Sequence, residues 1–306
     1  MKEDAVAPVV AVMLILAIAV TFFAAWNAYY VPSMKAQSEI THIKEVETGF
    51  LRFSSDIETA VSLKKSMKLS EPIPLGGGDF TFDPVKSGGE LKIWNASPAG
   101  YIRLNWTGET DPAMQDCFFG LVRFSYKPVN NFWQDQGYGW AYGNVYVINT
   151  ERNLSTPLKF YNMTDVTYGL AGSLVDLESV PSYSSPGNCS VITIHAINIT
   201  PDSRHFRISG NGNGMLVLES DVTTVRVINA TSMNVSITTP LPGQFHTSLW
   251  DSVNTSVEDS LARCGNVQRT QPPDPAQREI QLAFRPYPYP NMTLIRETTE
   301  ITIGAY

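Results

Sequence analysis

The sequence predicts an α+β protein. A long N-terminal helix, hydrophobic and then amphipathic, leads into a mainly antiparallel, sandwich-like β domain with one packed helix. Three observations carry this. No charged side chain occurs between Ala5 and Met34. Ile40, Ile43, Val46, Phe50, Phe53, Ile57 and Val61 then recur at three- and four-residue steps. Beyond residue 79 the chain falls into short runs rich in β-branched and aromatic residues, divided by Gly, Asn, Asp and Pro.

The first element is a helix apolar on every side. A span of about 20 such residues crosses a bilayer, and Val6 to Ala28 is long enough. A secretory signal has a shorter apolar region and a small-residue cleavage site after it. Here Trp26-Asn27-Ala28-Tyr29-Tyr30 follows instead, a sequence suited to a membrane interface. The spacing of apolar residues extends the helix beyond Pro32, which is absorbed as a kink or a short break. Its second half is striped over 33–68, with Lys64, Lys65 and Lys68 in the last turn, where cations complement the helix dipole. Residues 6–70 therefore form one helical unit, with 6–31 in the apolar part.

The segment 71–78, with its prolines and glycines, reads as a hinge. Residues 79–306 read as the β domain: GELKIWN, YIRLNWT, CFFGLVRFSY, GNVYVINT, SVITIHAINIT, GMLVLES, TTVRVINA and SMNVSITT are its strand runs. Phe245, Leu249, Val253, Val257 and Leu261 form a four-residue stripe, so this segment is a helix that packs on a sheet, and Gly265 stops it. REIQLAFRP and MTLIRETTEITIGAY close the domain as strands.

Composition narrows the function. Of 306 residues, 43% are hydrophobic, enough for a sizeable core, and the net charge of -7 argues against nucleic acid as a partner. Cys117, Cys189 and Cys264 have no metal-binding or redox spacing. One disulfide is open to them if the domain is extracellular, and the sequence does not choose the pair; three buried small hydrophobic residues is the other reading. Asn-x-Ser/Thr occurs at Asn95, Asn105, Asn153, Asn162, Asn188, Asn198, Asn229, Asn234, Asn254 and Asn291. Roughly three such matches are expected by chance at this composition, so the excess reads either as a glycosylated ectodomain or as a Thr/Asn-rich set of strands and turns. Trp133, Tyr138, Trp140 and Tyr142, interleaved with Gly and Gln, read either as an aromatic hairpin capping the core or as a carbohydrate- or partner-binding patch.

Catalytic patterns are missing from the sequence. The histidines, His42, His195, His205 and His246, show no metal-hydrolase spacing, and no nucleophile elbow occurs. Gly210-Asn-Gly-Asn-Gly214 lies between two strand runs and reads as a hairpin turn, not a phosphate cradle. The chain is expected not to be an enzyme and to need no cofactor or metal.

The stretch DAVAPVVAVMLILAIAVTFFAA resembles the N-terminus of archaeal type IV pilins and pilin-like proteins, which read as a charged stub, a small residue and then a hydrophobic segment. Val10 falls where bacterial pilins carry a glutamate. The resemblance implies that residues 1–5 are a leader and that a prepilin peptidase cuts between Ala5 and Val6. It implies that Val6, Val9, Val10, Val12, Leu14, Ile15, Leu16, Ile18, Val20, Phe22 and Phe23 face lipid before assembly and a filament core after it. The implied partners are the peptidase, a membrane assembly machine, the bilayer and other pilin subunits, the same or related. The implied location is the cell membrane, N-terminus in the cytoplasm, and then a surface filament. The alternative is a single-pass, glycosylated surface protein whose β domain binds a ligand.

Overall fold

The computed structural model describes residues 6–76, 87–96, 100–107, 115–129, 135–149, 154–158, 170, 172–238, 243–270, 279–285 and 292–306. It is α+β, as the patterning predicts: a long N-terminal helix, then mostly antiparallel sheets.

Helix α1 (Val6–Ala25) passes through a π-helical turn (Trp26–Tyr30) into α2 (Val31–Leu63) without a break. The turn sits just ahead of Pro32, whose ring clashes with the carbonyl four residues back and which has no N–H to offer it. The wider turn absorbs this, with the Val31 N–H donating to the carbonyl of Trp26. The stalk ends earlier than 68. Lys64 adopts a left-handed conformation (φ 49°), and its N–H caps the Ala60 carbonyl. Lys65 and Lys68 are therefore not in a helical last turn.

The 71–78 hinge is corrected in its first half. β1 (Met67–Pro74) pairs antiparallel over eight residues with β12 (Asn213–Ala230), so the β domain begins at 67. Pro72 and Pro74 fit because β1 is an edge strand, with one row of N–H positions unpaired. Leu75 is buried, and its N–H donates to Gly212. Residues 77 and 78 lie outside the described part.

The described residues form three sheets. The first has the order β1-β12-β16-β10-β9, with β16 (Met292–Ala305), β10 (Cys189–Pro201) and β9 (Val175–Pro181). All its pairs are antiparallel except β10 with β16. The second has the order β11-β2-β5-β6-β7-β8, formed by β11 (Arg207–Gly210), β2 (Gly88–Asn95), β5 (Val122–Val129), β6 (Gln136–Ala141), β7 (Asn144–Asn149) and β8 (Leu154–Pro157). The third has the order β14-β15-β13-β3-β4, formed by β14 (Val267–Thr270), β15 (Glu279–Phe284), β13 (Ser232–Thr238), β3 (Gly100–Thr107) and β4 (Gln115–Phe119).

Three local readings change. GMLVLES and TTVRVINA are one 18-residue strand, β12. CFFGLVRFSY divides at Gly120 and Leu121 into β4 and β5, which belong to different sheets. The 210–214 turn is not a hairpin: β11 pairs with β2 and β12 with β1, so the turn crosses between sheets.

Helix α3 (Gly243–Arg263) carries the expected stripe. Leu249, Val253 and Val257 are fully buried, and the helix lies against β9. Cys189 at the start of β10 is bonded to Cys264 just past α3. Asn266 completes this junction, accepting from the Cys189 N–H at 2.9 Å and donating to its carbonyl at 2.8 Å.

Strand register orients the molecule. Met67 pairs with Ser220, Ser220 with Ile301, and Ile301 with Ile199, so Met67 is level with Ile199. Helix α2 runs antiparallel to β1: a Cβ built on Gly49 would meet the Ile73 side chain at 2.5 Å, while Leu63 lies three residues before Ser66 and the start of β1. α1 therefore leaves beyond the Pro74 end of the first sheet. Cys189 lies at the other end, ten residues from Ile199, which is about 33 Å at 3.3 Å per residue.

Candidate functional site: a bare apolar helix on a seated stalk

Every described side chain of α1 is exposed. Val9, Val10, Val12, Leu14, Ile15, Leu16, Ile18, Val20, Phe22 and Phe23 range from 53% to 66% exposed. Val6 is on the helix with its side chain outside the described residues, and so is the whole of Ala5. Removing such side chains from water yields roughly 1.5–3 kcal/mol each, so the bare rod has a strong drive toward apolar surroundings. Its 20 residues span about 30 Å. Among the described residues this is the one helix long and apolar enough to cross a membrane.

An aromatic ladder marks the end of the apolar part. Phe22, Trp26 and Tyr30 follow one another at four-residue steps, with ring centroids 6.1 Å and 4.2 Å apart. Tyr29 projects on its own, 81% exposed. Rings with a polar tip suit the boundary between hydrocarbon and water.

Helix α2 is held between the first two sheets. Ile43, Val46, Phe50, Phe53, Ile57, Ala60 and Val61 are buried, whereas Ile40, the first residue of the expected stripe, is only half-buried. Phe124 on β5 is the hub, 5.4 Å from Phe50, 5.5 Å from Phe53, and stacked on Trp140 at 5.2 Å. The polar edges of these rings are paired. Trp140 Nε1 donates to Ser54 Oγ at 3.0 Å, and the Tyr138 hydroxyl donates to Glu47 Oε2 at 2.7 Å. Burial, reinforced by Glu47, pushes the Tyr138 phenol well above its ordinary range.

Tyr138 and Trp140 thus seat the stalk, and their rings are closed to a ligand from solvent. Tyr138 and Trp140 are each about 1% exposed. Tyr138 and Trp140, two apart on β6, point to one face of the strand, toward the apolar stripe of α2. Tyr142 is half-buried at the β6–β7 turn, where Tyr142 and Gly143 both have positive φ (53° and 84°), the two-residue hairpin geometry. Arg123 holds it, with Nη2 donating to the phenol oxygen at 2.7 Å and the guanidinium 5.0 Å from the ring centre. Trp133 lies outside the described residues.

The sequons divide. Asn95 is exposed at the end of β2. Asn188, Asn229, Asn234 and Asn254 are half-buried. Asn105 is on β3 with its side chain outside the described residues, and Asn153, Asn162 and Asn291 lie wholly outside them. Asn198 belongs to the framework: its oxygen accepts from the Gly120 N–H and its amide nitrogen donates to Glu300, each at 2.6 Å. These bonds join β10, β16 and the β4–β5 connection. Of the cysteines, Cys189 and Cys264 form the pair, and Cys117 lies on β4 with its side chain outside the described residues.

His195 lies between Glu297 (3.1 Å, off the line of a hydrogen bond) and Glu178 (3.7 Å) on the first sheet. Among the described residues no group of His, Cys, Asp or Glu has the arrangement to hold a metal ion. The structure therefore centres on the α1 surface and the way α2 carries it. No family model, curated protein or solved structure matches this chain.

Proposed function

We propose that this chain is a pilin-like subunit of an archaeal surface filament, stored in the membrane by α1 before assembly. The observation that supports this best is one continuous helix with two burial regimes. Its first half is bare and apolar on all sides, and its second half is sealed into the β domain. An all-round apolar helix needs apolar neighbours, and either lipid or a bundle of like helices supplies them. Moving from one to the other exchanges similar surroundings, so no large hydrophobic penalty opposes assembly. Ala11, Ala17, Ala19, Ala24 and Ala25 allow close helix approach. The charged stub and DAVAPVVAV start support cleavage between Ala5 and Val6, with net charge moving from -7 to -6. The disulfide supports an oxidising compartment for the β domain. This reading has no catalytic step.

The test is the N-terminus of the protein from its native host. Intact mass and N-terminal sequencing are expected to show a chain beginning at Val6, recovered in filaments. A chain that keeps Met1 and Lys2 and stays a lone membrane particle would instead establish a permanent single-pass anchor.

A further inference from the structure

The end of the molecule opposite α1 carries a loop of unusual build. Residues 182–188 join β9 to β10, and Pro181 to Ser190 reads PSYSSPGNCS, without a charge. The loop is fastened from several sides. The Ser182 N–H donates to the Asn188 carbonyl at 2.7 Å, and the Asn188 N–H to the Ser185 carbonyl at 3.1 Å. The Asn188 amide donates to Ser185 Oγ at 2.8 Å, and the Ser182 and Ser184 hydroxyls pair at 3.0 Å. From outside the loop, the Gly265 N–H donates to the Gly187 carbonyl at 2.8 Å. The Cys189–Cys264 bond and the Asn266 clamp anchor its base. On this fastened loop Tyr183 is fully exposed, at 103% of the reference area.

We propose that this loop is a recognition tip for a neutral saccharide, with Tyr183 as the platform on which a sugar ring stacks. Size, charge and stiffness each point to that partner. A tyrosine offers about 150–250 Å², and Val180 is the other large apolar residue exposed in the loop and its flanks. A stable protein interface needs about 800 Å² per partner, whereas one flat ring matches the apolar face of one pyranose. The exposed hydroxyl of Ser184, next to Tyr183 in the chain, offers a hydrogen bond to a sugar hydroxyl. The loop carries no cation for an acidic polymer. A Tyr on a loop already ordered by bonds and a disulfide binds with little further entropy loss. One such site is weak, and repetition along a filament or across a surface raises its avidity. The proposal rests on the surface-subunit reading for the outward direction of the loop.

The test uses the full chain in detergent micelles, so it does not depend on assembly or leader cleavage. Saturation-transfer NMR is run with cellohexaose, chitohexaose, maltohexaose and mannohexaose, and with a hyaluronan hexasaccharide as the acidic comparison. At least one neutral hexasaccharide is expected to bind. Tyr183→Ala should weaken that binding roughly threefold to tenfold, the range for losing an aromatic stacking contact. Tyr183→Trp should retain it. An unchanged melting temperature shows that the loop stays folded, as full exposure of Tyr183 predicts. Three results would each overturn the proposal: no neutral hexasaccharide binding, equal binding by Tyr183→Ala, or binding of the acidic sugar alone. Loss of self-association in Tyr183→Ala, without any sugar binding, would assign the loop to a protein partner instead.

Discussion

The hydroxyl of Tyr126 donates to the Leu75 carbonyl at 3.0 Å, so its oxygen must accept from His42 Nε2 at 2.9 Å. That fixes the proton of His42 on Nε2 and leaves Nδ1 buried and, among the described residues, without a partner. Burial lowers the His42 pKa, outweighing the opposite pull of Glu45 and Glu39. Asp202 is the converse case. The Arg204 N–H, His205 and the Tyr306 hydroxyl all bond its carboxylate and hold it below the ordinary range. Both shifts have the same consequence on acidification, in separate windows. Below pH 6.5, the ordinary His value, the unfolded chain takes up a proton that the fold refuses at His42, and stability falls. Below 3.8, the ordinary Asp value, the unfolded chain binds a proton at Asp202 before the fold does, and stability falls again. Melting temperature plotted against pH is expected to step down in both windows. His42→Gln should flatten the upper step and Asp202→Asn the lower one; unchanged curves would refute the assignment. The His42 effect is not legible in the sequence, because its burial and its Tyr126 partner come from far along the chain. The Asp202 effect is half local, since Arg204 and His205 are near neighbours and only Tyr306 is distant.

Helix α1 responds to different rules from α2, although the two are continuous. A charge on α2 at an exposed site such as Ser55 meets water. A charge at Ala17, in the middle of α1, meets hydrocarbon or packed helices in every state proposed for the protein. On the insertion scale it costs about 2.5–3.5 kcal/mol at the centre of a span. Ala17→Lys is therefore expected to deplete the membrane fraction and abolish filaments, while Ser55→Lys leaves both unchanged. Fractionation and electron microscopy read the result. Normal filaments from Ala17→Lys would count against the role given to α1. This element was legible at once, since its composition and length suffice. The stalk was legible in its stripe but not at its end. MKLSEPIP contains an alternation of Met67, Leu69 and Ile73 that marks β1, yet three lysines and two prolines drew the boundary elsewhere.

Across the whole molecule, the Cys189–Cys264 bond ties residues 75 apart in sequence and secures α3, the third sheet and the distal loop to the first sheet. Losing a native disulfide removes typically 2–5 kcal/mol. Cys189→Ser is expected to lower the urea midpoint in detergent under non-reducing conditions, and reduction should bring the natural protein down to the same value. A mutant as stable as the oxidised protein would show that the bond adds nothing. The same junction orders the Tyr183 loop, so the mutant should also lose part of any saccharide binding.

The long helix, its change of character near Pro32, the α3 stripe and the strand-rich domain follow from local patterns of 3.6 and 2, which need no knowledge of neighbours. Tertiary structure alone decided the rest. It turned Tyr138 and Trp140 inward because the stripe of α2 was there to cover. It chose Cys189 with Cys264 because folding brought them together. It also bonded Asn198 into the framework. Each of these depends on which distant surface arrives, and composition along the chain holds no record of that.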